Sequence, residues 1–521
     1  MSMEHRTRRQ TAVGLALTAS LAPAMAQQRA ERQLPERPNV IVLLADDIGW
    51  GDLSPYGTSG VQAPAVEELA QRGTRFTDAH CVAATSTPSR YSLLTGHYAW
   101  KREDTGVASG DAPMIIHPEQ YTVADLFREA GYATGAIGKW HLGLGDNPSG
   151  QDWNKKLSPN PQDLGFDYSY IMAATADRVP CVWIENGQVV DYDPSSPIFV
   201  SYKHNFPGEP TGRDHPELLY NLKPSHGHDQ SIINGISRIG YMKGGGRALW
   251  KDELIADSIE HHAVDFIREN KERPFFLYLC TNDIHVPRFP KEEYRTSELG
   301  LRGDALLQFD GTVRKILDEL ERLGLRENTL IILTSDNGGV LDDGYDDKAT
   351  ELAEGRHRVC GPFRGGKYSL FEGGTRVPFI VSLPGVVPEG EVVDHLVSHI
   401  DLLRSMASLL GVTLSPVAAP DSRDQLSTWL NRGGTGRELM VEQGLGTTIA
   451  IRYGKYKFIP PVKRPTKRAW QTGIETGQDS IPQLYDLSTD PGETHNLLAH
   501  SLFPTTKEAL TDNYRVSFFS L

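Results

Sequence analysis

Four uninterrupted apolar runs, Val40–Ala45, Phe275–Cys280, Leu330–Leu333 and Phe379–Val381, constrain this chain more than any other feature. A strand with one wet face alternates apolar and polar residues, whereas a run without alternation suits a strand covered on both faces of its sheet. Helical patterns lie between the runs. Thr122 and Asp125 have the spacing of a capping box, with Gly131 as a C-terminal stop, and Ser258–Asn270 and Ala305–Leu323 read as amphipathic. Alternating buried strands and helices predict an α/β fold with a large, doubly wound, mostly parallel sheet. In such a sheet, functional residues gather beyond the carboxyl ends of the strands.

A chain of 521 residues is too long for one compact core. The sheet domain is expected to span residues 27–415, ending near Pro416–Asp421. Short runs at Met440–Glu442, Thr447–Tyr453, Tyr456–Ile459 and Gln483–Leu487 then predict a smaller antiparallel-sheet subdomain within 416–521. Residues 146–251 are rich in Gly, Pro, Asn and Asp with weak periodicity, and read as a long loop insertion over one face. At the start, Arg6, Arg8 and Arg9 precede the small and apolar stretch Thr11–Leu21 and then Ala24-Met25-Ala26. That is the pattern of a cleaved signal peptide over residues 1–26, so an exported protein, periplasmic or secreted, is expected. No run is long enough to span a bilayer. The formal net charge of −14 argues against nucleic acid as a partner, and means that an anionic ligand needs a local basic pocket. The four cysteines form no C-x-x-C pair, which argues against a zinc cluster.

Two buried runs end in hard oxygen donors: Asp46-Asp47 follows the first, and Asp336-Asn337 follows the third. Either pair alone reads as a helix cap or a turn. Both together, at strand ends, suggest a site for a hard divalent cation. In Ser86-Thr87-Pro88-Ser89-Arg90, Pro88 suits a first helical position. Ser86 is then expected just before the helix, where free backbone N–H groups favour an anion, with Arg90 one turn on.

The run Ser86–Gly96 fits S-x-P-S-R-x-x-L-x-T-G and resembles the signature of the type I sulfatases. Further blocks of that family occur in order: L-A-D-D-x-G-W-G-D at Leu44–Asp52, G-K-W-H-L-G at Gly138–Gly143, H-V-P at His285–Pro287, S-D-N-G at Ser335–Gly338 and R-G-G-K-x-x-x-x-E-G-G-x-R-x-P at Arg364–Pro378. The resemblance covers nearly the whole chain after residue 26. It implies that Ser86 is converted to formylglycine by a maturase of the anaerobic, serine-acting type. It further implies one divalent cation, calcium with magnesium as the alternative, held by Asp46, Asp47, Asp336 and Asn337. Arg90 would orient the formylglycine, and Lys139, His141, His285 and Lys367 would bind sulfate and move protons. His285 is the expected acid toward the leaving alcohol, with His141 as the competitor.

Taken as a whole, the chain is most similar to bacterial galactosamine-6-sulfatases, which implies a sulfated carbohydrate substrate carrying a 6-O-sulfate on a galacto-configured sugar at a chain end. Asp177 and Arg178 are the candidate contacts to an axial O4, unless they form an internal ion pair, and His226, His228 and Asp229 are further candidates. Three other readings stand beside this one: a sulfatase for another sugar position, a phosphoester hydrolase of the same superfamily, and a silent glycan-binding protein whose Ser86 stays unmodified.

Overall fold

The computed structural model describes residues 32–57, 60–467 and 472–498. The expected signal peptide lies outside the described residues, as do residues 499–521. Five contiguous parallel strands form the centre of a 10-stranded sheet. In chain order they are β1 (Asn39–Ala45), β2 (Ala133–Lys139), β3 (Tyr168–Met172), β4 (Phe275–Cys280) and β5 (Thr329–Ser335). In space they run β5-β1-β4-β2-β3. The expected strand near Phe379 is present as Phe379–Ser382, but it lies antiparallel to β5. Every residue of β1, β2, β4 and β5 is buried, as their position between two helical layers requires.

The helices fall where the patterns placed them. Thr122 caps Val123–Glu129 through a capping box with Asp125, and the other two span Ile255–Glu269 and Gly300–Arg322. Near the C-terminus, Leu439–Gln443, Ile449–Tyr453, Tyr456–Ile459 and Gln483–Asp486 pair as a four-stranded antiparallel sheet. A buried ionic cluster ties this small sheet to the large domain: Lys457 reaches Glu372 at 3.0 Å and Arg452 reaches Asp78 at 2.9 Å, while Lys457 also pairs with Glu442 inside the small sheet at 2.9 Å.

Two expectations need correction. Residues 146–251 are not loops throughout, because β3 and the hairpin of Trp183–Glu185 with Gln188–Val189 extend the large sheet. Their strand character comes from aromatic packing, as where Tyr170 stacks on Trp183 at 4.8 Å, rather than from an aliphatic run. β2 was not foreseen at all, since Ala-Thr-Gly-Ala-Ile-Gly-Lys has little bulk. Its glycines are needed for packing. A Cβ on Gly135 would stand 2.8 Å from the Phe266 ring, and one on Gly138, at φ +98, would stand 1.8 Å from the Cys280 carbonyl oxygen.

Candidate active site

Parallel pairing puts the carboxyl ends of β5, β1, β4 and β2 in one row, and the polar residues beyond them converge. Ala45 registers with Ser335, so Asp46-Asp47 and Asp336-Asn337 emerge next to each other. All four side chains are fully buried. Asn337 Nδ2 donates to Asp47 Oδ1 at 2.7 Å, and the Asp47 N–H donates to Asp336 Oδ1 at 3.2 Å. Asp47 adopts φ +59, a left-handed conformation unusual for a non-glycine residue and typical of functional sites.

Ser86 faces this cluster. Its hydroxyl accepts from Lys139 Nζ at 2.8 Å and donates to Asn337 Oδ1 at 3.3 Å. The expectation that Ser86 precedes the helix is overturned. The helix spans Ser86–Thr95 with Thr85 as its extended N-cap, so Ser86 is the first helical residue and Pro88 the third. Proline is tolerated there because the first turn's N–H groups have no intrahelical partner. Arg90 sits one turn on, but reaches Asp336 Oδ2, from Nε at 3.0 Å and Nη2 at 2.8 Å, and the Lys139 carbonyl at 3.1 Å, rather than Ser86 itself.

Three cations oppose the carboxylates. Lys139 Nζ lies 2.5 Å from Asp46 and 3.5 Å from Asp336, and Lys367 Nζ lies 2.8 Å from Asp47. The balance is uneven. Burial alone would raise the Asp336 carboxyl, but Arg90 and Lys139 outweigh it and hold the group far below the usual carboxylate range. Asp46 goes the other way: burial, with Asp336 and Asp47 close by, pushes it up more than Lys139 can offset. Its Oδ2 is buried without a hydrogen-bond partner. An orphaned carboxylate oxygen among two more carboxylates and an amide oxygen is a donor set that suits a hard divalent cation.

The two histidines differ. His141, at φ +58, has its Nε2 against the Ala108 carbonyl at 3.0 Å and its Nδ1 buried without a partner. Burial and Lys139 push it well below the ordinary imidazole range, so it is neutral. His285 directs Nδ1 to the Val286 carbonyl at 2.7 Å and leaves Nε2 facing Lys367 Nζ at 3.4 Å. Burial and Lys367 push it down to about 4.

Above this cluster lies a cavity of about 80 Å³ whose lining includes Ser86, His141, His285 and Lys367 from the site, and Asp177, Arg178, His226 and His228 from the insertion. Thus thirteen of the expected residues lie in or directly under one cleft, with Arg90 held against Asp336 behind them. Asp177 and Arg178 do form an ion pair, at 2.9 Å, yet both face the cavity. Thr175 also donates to Asp177, and His228 Nε2 meets Asp177 Oδ2 at 3.0 Å. Asp229 is directed elsewhere, to Arg213 at 2.8 Å. Two further cavity residues, Asp343 and Tyr368, were missed by sequence reasoning. Asp343 stands in an acidic Leu-Asp-Asp-Gly-Tyr run that reads as a solvated turn, and the only hint for Tyr368 is its place beside Lys367.

A sulfatase family model matches residues 38–412. The chain belongs to the sulfatase family. This sulfatase is therefore a sulfuric ester hydrolase, and membership implies a divalent metal and a formylglycine residue. It is 50% identical over 471 residues to an N-acetylgalactosamine-6-O-sulfatase of Bacteroides thetaiotaomicron, covering 90% of this chain and 91% of the relative. It is 30% identical over 507 residues to human arylsulfatase A, covering 93% of this chain and 86% of that protein. A solved structure from work on the metabolism of multiple glycosaminoglycans by the same Bacteroides species superposes with a TM-score of 0.87 at 48% identity, covering 94% of this chain and 98% of that one. Among the described residues no helix is long and apolar enough to cross a membrane.

Proposed function

We propose that this sulfatase is an exported, exo-acting 6-O-sulfatase of galactose or N-acetylgalactosamine at the end of a sulfated glycan, and that Ser86 is matured to formylglycine. The observation that carries the reading is the joining of two half-sites in one small cavity: Ser86, backed by Lys139, with His141, His285 and Lys367, and the Asp177–Arg178–His228 cluster. The 50% identical relative, by its name an N-acetylgalactosamine-6-O-sulfatase, supports the same substrate. A 6-O-sulfate is exocyclic, so it reaches the floor of a narrow cavity while the ring stays against Asp177 and Arg178.

When present, a hydrated formylglycine supplies one hydroxyl to attack sulfur and a second whose deprotonation expels the sulfate. Asp46, Asp47, Asp336 and Asn337 would hold a calcium-type cation, which supplies positive charge to the sulfate oxygens. Lys139 donates to the nucleophile position and so orients its lone pairs. Arg90, anchored on Asp336, fixes the same helix turn against the strand ends. Lys367 and Lys139 provide the local basic pocket that the net charge of the chain otherwise lacks. A general acid is needed because a sugar alkoxide is a poor leaving group. His285 suits that role. Its ring lines the cavity with Nδ1 held by the Val286 carbonyl, and the negative charge of a bound sulfate ester raises its proton affinity from the low value of the free site. His141, held through Nε2 by the Ala108 carbonyl, suits an acceptor instead.

Two tests follow. Exhaustive chelation is expected to abolish turnover and lower the melting temperature, with calcium restoring both. At a hundredfold excess over Kd the ion contributes about 2.7 kcal/mol of stability. Full activity in metal-free protein contradicts the cation assignment. The sugar reading is tested by comparing kcat/KM on N-acetylgalactosamine 6-sulfate and N-acetylglucosamine 6-sulfate. The galacto substrate should win, and Asp177→Ala should cost it on the order of a hundredfold or more, because a site built to hydrogen-bond one hydroxyl is left with unpaired groups. A preference for the gluco sugar, or an Asp177→Ala variant at full activity, refutes the assignment.

A further inference from the structure

Lys367 sits between two carboxylates. Its ammonium donates to Asp47 Oδ2 at 2.8 Å, on the strand side, and to Asp343 Oδ2 at 2.8 Å, on the cavity side. Asp343 is itself fixed. The Tyr368 hydroxyl donates to its two oxygens at 2.9 and 3.1 Å. The segment that carries it is clamped by the buried Arg288, which donates to the Val340 carbonyl at 3.0 Å, the Leu341 carbonyl at 2.8 Å and Asp347 at 2.6 Å. Asp343 is 7% exposed, so this is a built contact rather than a surface ion pair.

We propose that Asp343, steadied by Tyr368, is a positioning residue for the sulfatase reaction: it holds the Lys367 ammonium over the cavity, beside His285, against the pull of Asp47. The proposal rests on the role given above to Lys367. Without Asp343 the ammonium has one strong partner left, and Asp47 draws it toward the strand ends. Lys367 lies 3.4 Å from His285 Nε2, so that shift takes positive charge away from the place where the leaving oxygen gains negative charge. Interactions that strengthen as charge develops act on kcat. At the same time, removing a carboxylate from an anion pocket does not weaken ground-state binding of an anion.

The test is steady-state kinetics of matured Asp343→Asn and Tyr368→Phe variants on a sugar 6-sulfate that the wild-type protein turns over, alongside thermal melts. Asp343→Asn is expected to lower kcat about tenfold or more with KM unchanged or reduced, and Tyr368→Phe to lower kcat about threefold in the same pattern. Asp343→Glu should recover part of the loss. A kcat within twofold of wild type for both variants overturns the proposal. So does a rise in KM beyond about threefold, which marks Asp343 as a sugar contact instead. If Asp343→Asn does not fold, Tyr368→Phe, which keeps every charge, decides alone. A wild-type protein inactive on galacto 6-sulfates but active on another sulfated sugar removes the sugar reading and leaves this test in place.

Discussion

Ser86→Ala is expected to be folded and inactive, with turnover reduced by about 10⁴-fold or more, some 5 kcal/mol or more of barrier. The size follows from the role. Lys139, His285 and the cation ligands can bind and polarise a sulfate ester, but without a nucleophile they have nothing to exchange it with. Folding should survive because the Ser86 hydroxyl makes few contacts, to Lys139, Asn337 and Asp336, and Lys139 keeps its closer partner Asp46. Alanine is also a good helix former. Kinetics on N-acetylgalactosamine 6-sulfate, with a melting curve of the variant, measure this directly. The companion measurement is the mass of the peptide carrying Ser86, expected to be two hydrogens lighter in active protein. Active wild-type protein whose Ser86 peptide is wholly unmodified would sink the formylglycine mechanism.

Asp336→Ala is expected to remove activity and stability together. Asp336 accepts twice from Arg90, faces Lys139 at 3.5 Å and receives the Asp47 N–H. Arg90 is fully buried, and without Asp336 it keeps the Lys139 carbonyl at 3.1 Å, the Cys280 thiol and a long contact to Asp46 at 3.9 Å, with no carboxylate at hydrogen-bond distance. Removing one partner of a buried pair leaves an uncompensated charge, a loss of about 3–5 kcal/mol. It also takes a carboxylate from the cation site. Asp336→Asn keeps the volume and an oxygen, so it should be less destabilised while still losing most activity, because the site gives up one negative charge. Denaturant unfolding with and without calcium separates the two effects. Calcium should stabilise the wild type clearly and the variants weakly. A variant that keeps wild-type turnover would remove Asp336 from the site.

These outcomes bear on how far residue order alone could go. The strands bearing the acids were legible because burial on both faces demands unbroken apolar runs, and β1, β4 and β5 have them. β2 was not, although it delivers Lys139. Its sequence meets a different demand, close approach of Phe266 and the Cys280 carbonyl, and glycine answers that at the expense of strand signal. β3 was lost for a similar reason, since its aromatics pack against Trp183 and Trp183 cannot be seen from Tyr170 by local periodicity.

By itself the sequence determined the chemistry-bearing blocks: acids at two strand ends, a serine at a helix start, and histidines and lysines in an order that resembles one family. These are local patterns, read within a few residues. Only the tertiary structure decided which of them share a charge. Arg90 pairs with Asp336 across 246 positions and Lys367 with Asp47 across 320. Asp343 becomes a partner of Lys367 only because Arg288 clamps its segment over the cavity. Electrostatic energy depends on distance in space, and separation along the chain says almost nothing about it until the sheet has closed.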